Sequence, residues 1–297
     1  MKSSLFKKVI AGAATLAMAS QFAFAIPASA EDLYTQDYES VTDASKVMTS
    51  ASAQAQVGIG TDTTHGNYLK FDFSSTSTNS RGAFSDFTGL DVSAKDKYII
   101  EFDSQLTAGN NQQSDFTVKG SDLKYISNNV NYGAESGWII HMTTTNSTEW
   151  TLNETKKVTV PNDAWCHFKL YVDKEQKLVS TTITNSTTND VLADKVISSY
   201  NGSGNVSGLY VVAGRYNPYF AWDNIKVRDV EADDVFGELQ PEVLSSVELS
   251  TTLTSVSGKI PQPAENSADD YTITAKAIGD RLGDLTEKAT VEWSFKG

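Results

Sequence analysis

The run Trp165-Cys166-His167-Phe168-Lys169-Leu170-Tyr171-Val172, the polar stretch Asp173-Lys174-Glu175-Gln176-Lys177 and the run Leu178-Val179-Ser180-Thr181-Thr182-Ile183-Thr184 decide the fold. The first run alternates, the second is rich in β-branched residues, and five polar residues part them. That order predicts a β-hairpin. Other stretches repeat the pattern. Tyr68-Leu69-Lys70-Phe71-Asp72-Phe73 places Leu69, Phe71 and Phe73 on one face, and residues 97–103 group Tyr98, Ile100 and Phe102. Residues 207–213 and 219–227 form a last pair, joined by Gly214-Arg215-Tyr216-Asn217-Pro218. Helical periodicity is almost absent, and segments 108–114 and 143–148 are polar loops without a repeat period. The expected class is all-β, a two-sheet antiparallel jelly-roll sandwich.

The chain has 297 residues, and residues 1–30 read as a secretory signal peptide. Lysines come first, an apolar stretch follows, and Ala28-Ser29-Ala30 has the small-x-small form of a cleavage site. Export predicts a secreted location, extracellular or at the cell surface. Removing Lys2, Lys7 and Lys8 with that leader lowers the formal charge from −13 to about −16. An acidic balance disfavours a nucleic-acid partner, which needs basic patches, and disfavours attachment to anionic lipid. No later stretch reaches the ~18 apolar residues of a spanning helix. The lone cysteine, Cys166, excludes an internal disulfide framework and a Cys-rich zinc site. Its apolar neighbours predict a buried, inert thiol.

Residues 31–228 carry the strand pattern of the jelly roll. Residues 229–242 are acidic, contain Pro241, and read as a linker. Residues 243–297 show further strand-like runs at 245–253, 270–277 and 289–295. They read as a short immunoglobulin-like β domain, cut short because such sandwiches need about seven strands. The natural protein is expected to continue beyond it.

In Tyr219-Phe220-Ala221-Trp222-Asp223-Asn224-Ile225-Lys226-Val227, strict alternation puts Asp223 on the inward face with Ala221, Ile225 and Val227. A buried carboxylate is costly unless it is paired or bound to a metal. Calcium, which takes carboxylate and carbonyl oxygens, answers that cost. Acceptance of backbone N–H groups at a strand edge, or a place on the sheet rim, answers it too.

Four stretches together resemble the concanavalin A-like or laminin G-like jelly rolls found as carbohydrate-binding modules in secreted bacterial polysaccharide-degrading enzymes and surface proteins. They are Asp37-Tyr38-Glu39-Ser40, Gly66-Asn67-Tyr68-Leu69, the Trp-x-x-Phe-x-Leu-x-Val-Asp run of residues 165–173, and the closing Trp222-Asp223-Asn224-Ile225-x-Val227. The resemblance covers roughly residues 33–228. It implies a structural calcium ion near the joined termini, with Glu39 and Asp223 as ligands and Asp37 as a further one.

Sugar rings stack their C–H patches on aromatic faces while planar polar side chains bind the hydroxyls. Arg215, Tyr216, Asn217 and Tyr219 are the first candidate set, with Tyr216 expected to be exposed. Trp138 and Trp150, which bracket a polar loop, come second, and Tyr132 third. Trp165, at the head of an alternating apolar strand, is assigned to the core. Glu101 and Asp103 share one face, but related jelly-roll glucanases add a third acid where this chain has Gln105 and Leu106. Solvent-facing acids explain the pair. His65, His141 and His167 are scattered, and His141 is placed either in a groove or in a structural role. No nucleophile elbow or phosphate-cradling loop occurs. The expected function is non-catalytic binding of a neutral polysaccharide by a monomer, anchoring a larger enzyme or surface assembly. An adhesion module without a sugar site, and a glycoside hydrolase or lyase with unrecognised catalytic residues, stand beside it.

Overall fold

The structure is a computed structural model that describes residues 31–48, 50–51, 56–72, 81–108, 113–127, 132–145, 148–154, 156–213, 218–238, 244–251 and 273–279. The strands are β1 (Asp32–Gln36), β2 (Ser50–Ala51), β3 (Gln56–Asp62), β4 (Gly66–Asp72), β5 (Arg81–Asp86), β6 (Lys97–Thr107), β7 (Gln113–Ser127), β8 (Tyr132–Thr145) and β9 (Glu149–Leu152). They continue as β10 (Lys156–Thr159), β11 (Trp165–Asp173), β12 (Leu178–Asn185), β13 (Val191–Ser199), β14 (Val206–Ala213), β15 (Tyr219–Arg228), β16 (Leu244–Thr251) and β17 (Ile273–Gly279). Among the described residues one antiparallel sheet runs β13-β12-β11-β6-β15-β4-β3, with β1 also paired to β15, making eight strands. A second runs β10-β9-β8-β7-β14-β5-β2, making seven. This is the all-β jelly-roll sandwich.

The expected hairpin is β11–β12, in register from Cys166 opposite Asn185 to Asp173 opposite Leu178. Asp173 closes the turn by accepting the Gln176 N–H at 3.0 Å. Period two turns Cys166, Phe168, Leu170 and Val172 inward. There the Phe168 ring stacks on Phe102 of β6 at 4.8 Å and meets Phe116 of β7 at 5.7 Å. Burial, aided by the nearby Asp103 charge, pushes the Cys166 thiol up to about 12. The thiol is therefore un-ionised at neutral pH.

Four expectations are corrected. Trp165 is not in the core: it stands three residues before Phe168, an odd spacing, so it faces outward with His167, Lys169 and Tyr171. Trp150 is fully buried, because β9 turns it inward with Leu152, so it offers a ligand no ring face. Asp223 does not share a face with Ile225 and Val227. β15 advances three residues, Asp223 to Lys226, while β6 advances two, Asp103 to Glu101. The extra residue is a β-bulge with Asn224 in the left-handed region, φ 50°. Phe220 and Trp222 point inward before it and Ile225 and Val227 after it, while Asp223 lies on the outward side opposite Asp103.

The fourth concerns residues 229–242, read as linker, of which 229–238 are among the described residues. They fold back onto the eight-stranded sheet within the compact unit Phe24–Glu238. Arg228 joins Glu101 (Nη2 to Oε1 2.8 Å) and Asp234 (Nη1 to Oδ2 2.6 Å), and Lys169 Nζ reaches Asp234 Oδ1 at 2.6 Å. Phe236 sits edge-on to Tyr171 at 5.1 Å. The other unit takes in Leu239–Gly297. Its described part is an antiparallel pair, β16 and β17, with Ala275 and Ala277 buried. The expected strand at 289–295 lies outside the described residues, as does the leader at 1–30.

Candidate functional site

On the outward side of the seven-stranded sheet, register aligns four residues across four strands. Phe84 of β5 pairs with Tyr210 of β14, Tyr210 with Thr117 of β7, and Thr117 with His141 of β8. Their neighbours Ala83, Leu209, Val211, Phe116, Val118, Ile140 and Met142 fill the core, so alternation sends these four outward.

Aromatic rings close both ends of the row. The Phe84 and Tyr210 rings stack at 4.3 Å, 9° from parallel. Tyr125, 49% exposed, comes edge-on to Phe84 at 5.5 Å. It reaches there because β7 and β8 slip register between Val118 and Lys124. The returning arm of this hairpin passes close to Asp115, since a Cβ on Gly133 would stand 3.2 Å from Asp115 Oδ2. At the far end the Trp138 ring leans on His141 at 5.1 Å.

The polar atoms between the rings are unsatisfied. Thr117 Oγ1 and both ring nitrogens of His141 are buried without a hydrogen-bond partner, and an orphaned buried group costs about 1–3 kcal/mol. Asp115, wholly buried, receives Gln113 Nε2 at 2.9 and 3.2 Å. His141 Nε2 is 3.9 Å from Asp115 Oδ1, too far for a hydrogen bond. Burial, partly offset by Gln113, pushes the Asp115 carboxyl up to about 7. Burial also holds the His141 imidazole down at about 4. At neutral pH the imidazole is therefore uncharged, one nitrogen a donor and the other an acceptor. Asn153 fixes its backbone, accepting the His141 N–H at 2.7 Å and donating its own N–H to His141 O at 2.8 Å. Lys119 pairs with Asp86 along the same edge, its Nζ 5.7 Å from the Phe84 centroid.

Tyr125 and Phe84 present ring faces at the surface, and Tyr210, Thr117 and Asp115 lie wholly buried beneath, with the His141 imidazole beside them, so a neutral, hydroxyl-rich ligand would meet the rings first and reach the polar atoms only as the row opens. Of the candidates read from sequence, Trp138 belongs to this row, though only 7% exposed. Tyr132 adjoins Gly133 on β8, its side chain outside the described residues. Arg215, Tyr216 and Asn217 also lie outside them, between β14 and β15. Tyr219 lies on the other sheet, opposite Thr107. Sequence reasoning passed over Phe84, Asp115, Thr117 and Tyr210. Alternation along Asp115-Phe116-Thr117-Val118 was the available signal, but it reads equally as a solvated strand face.

The seam expected to hold calcium is built around Asp223, which is 1% exposed. Its Oδ1 is buried without a partner. Burial first, then the charges of Asp103, Glu39 and Asp37, pushes this carboxyl up to about 7 against a hydrogen bond from the Asn224 N–H. An orphaned carboxylate oxygen is a donor of the kind calcium takes. Glu39 is turned to the Asn67 N–H at 3.4 Å, and Asp37 Oδ1 accepts the Glu39 N–H at 3.2 Å. Among the described residues no three of His, Cys, Asp and Glu gather closely enough to hold a metal ion. Asp223 thus fits one ligand position, and Glu39 and Asp37 stand near it without converging.

No family model and no curated protein matches the chain. Similar solved structures include a GH131 β-glucanase catalytic domain from Podospora anserina, at 12% identity and TM-score 0.47, over 69% of this chain and 98% of that one. Lectin II from Ulex europaeus aligns at 8% identity and TM-score 0.43, over 67% of this chain and all of the lectin. A sialidase aligns at 8% identity and TM-score 0.42, over 69% of this chain and 19% of the sialidase.

Proposed function

We propose that this protein is exported and binds a neutral polysaccharide on the outward face of its seven-stranded sheet. The row Phe84, Tyr210, Thr117 and His141 carries the reading: stacked rings at one end, and beside them the unpartnered buried Thr117 Oγ1 and His141 ring nitrogens. Binding a glycan hydroxyl would offset the cost those atoms impose on the free protein. The formal charge of −13 favours an uncharged chain over a polyanion. Binding rather than cleavage is the reading because, among the described residues placed in this row, Asp115 stands as a single carboxyl group and not as the usual hydrolytic pair. A structural calcium ion on Asp223 is part of the proposal, with Glu39 and Asp37 leaving their present hydrogen bonds to complete its shell. The orphaned Asp223 oxygen supports it.

Affinity electrophoresis in gels containing barley β-glucan, xyloglucan or galactomannan tests the function. Retention by at least one is expected, at roughly micromolar to millimolar affinity. Tyr125→Ala and His141→Ala should each weaken it roughly tenfold, the equivalent of about 1.4 kcal/mol. Retention unchanged in both variants, or no retention of the wild type by any neutral glycan, refutes the assignment.

A further inference from the structure

We propose that the outward face of the eight-stranded sheet carries a second glycan platform, so that one molecule joins two polysaccharide chains. The inference rests on the glycan-binding reading of the first face. Its site is an aromatic ledge made by His65, Tyr68, Trp165 and Tyr219.

Trp165 stands on β11 and Tyr68 on β4, with β6 and β15 between them. Three strand spacings of about 4.8 Å would hold their backbones roughly 14 Å apart, yet the rings meet edge-on at 5.1 Å. Aromatic side chains therefore span the two intervening strands. His65, from the turn between β3 and β4, stacks on Trp165 at 4.0 Å, 24° from parallel. Tyr219 lies close enough to Tyr68 for the second phenol to help push its own hydroxyl group's pKa up, after burial. Trp165, Tyr68 and Tyr219 are all partly exposed.

Polar groups fixed by one another flank the rings. Asp103 receives Asn224 Nδ2 at 2.8 Å, and its Oδ1 lies 2.9 Å from His167 Nδ1. Burial works to raise the Asp103 carboxyl, but the His167 and Asn224 hydrogen bonds hold it below the usual carboxylate range. The array is thus set before any ligand arrives. His167 and Asn224 remain exposed enough to touch one. His65 Nδ1 is buried without a hydrogen bond. It stands 3.5 Å from Asp62 Oδ1, which already accepts the N–H groups of Thr64 and His65 at 2.7 Å each. Ring faces, an unfilled imidazole position and a fixed amide and carboxylate again match a hydroxyl-bearing ring.

The rest of this face supports the assignment. Its other end, at Glu101, Lys169, Tyr171 and Arg228, is covered by residues 229–238 through Asp234 and Phe236. That cover rests on rows of the sheet beyond Asp103, and the ledge begins at Asp103 and His167.

Two platforms on opposite sheets cannot engage one straight chain at once, so the consequence is bridging. The test compares wild type, Tyr125→Ala, Trp165→Ala and the double variant with barley β-glucan, xyloglucan and galactomannan. Wild type should raise the low-shear viscosity of a retaining glycan solution. Each single variant should stay bound, roughly tenfold weaker, and lose the viscosity rise; the double variant should lose retention. His167→Ala, at an exposed position, repeats the Trp165 measurement if that variant fails to fold. If wild type is retained but neither Trp165→Ala nor His167→Ala changes the viscosity, the second platform is refuted while the first face stands. If wild type is retained by no glycan, the first reading falls as well. Self-association seen by sedimentation without glycan, and abolished by Trp165→Ala, would show that a second copy of the chain occupies the ledge instead.

Discussion

Replacing Asp115 by asparagine should change how the stability of the protein depends on pH. The Asp115 carboxyl sits at about 7 in the fold against 3.8 when free. The folded protein therefore keeps this proton after the unfolded chain has lost it. Stability from this group is greatest below pH 4 and falls as the pH climbs to 7. At about 1.4 kcal/mol per tenfold change in proton affinity, the fall is roughly 4 kcal/mol. His141 works in the opposite direction. Its imidazole sits at about 4 in the fold against 6.5 when free, so the unfolded chain takes up a proton that the fold refuses. Stability then rises between pH 4 and 6.5, by roughly 3 kcal/mol. The two slopes nearly cancel in the wild type. Measured against the wild type at each pH, Asp115→Asn removes the falling slope and should gain roughly 4 kcal/mol from pH 4 to 7. His141→Gln should lose roughly 3 kcal/mol against the wild type from pH 4 to 6.5. Asp223, also near 7, gives all three proteins the same background, and the Lys119–Asp86 pair is common to them. Urea denaturation at half-unit steps from pH 4 to 7.5 measures the slopes. Parallel curves for wild type and both variants would show that the two groups are not held in these opposed states.

Arg228→Ala should destabilise by about 3 kcal/mol, because it leaves Glu101 and Asp234 to share Lys169 as their one cation against the sheet; limited proteolysis should then cut within residues 229–238, and an uncut segment would argue against the docking. Calcium should raise the wild-type Tm, and EGTA should lower it, while Asp223→Asn responds to neither; a wild-type Tm indifferent to both removes the ion from the seam.

What the sequence disclosed was local. The β11–β12 hairpin, the buried thiol of Cys166 and the inward set Tyr98, Ile100 and Phe102 follow from alternation within one strand and from the polar turn after Val172. What stayed hidden depended on pairing between distant strands. Nothing near Phe84 shows that it will stand beside Tyr210, and through it Thr117 and His141, because that row is made by register across four strands. Trp165 was misplaced because its apolar character outweighed its odd spacing from Phe168. The linker reading of residues 229–238 took acidity for solvation, although Asp234 is matched by Arg228 and Lys169.

The extra residue at Asn224 has a consequence for how β15 tolerates change. Before it, even-numbered positions are interior; after it, odd-numbered ones are. Deleting one residue there would restore a regular ladder and, in the same stroke, turn out whichever half of the strand yields, either Phe220 and Trp222 or Ile225 and Val227. Point substitutions are graded differently. Glycine, which enters the left-handed region without strain, should be accepted at 224, while valine, whose branched Cβ resists it, should not. The strand is thus forgiving about which small residue marks its phase slip and intolerant of losing the slip itself.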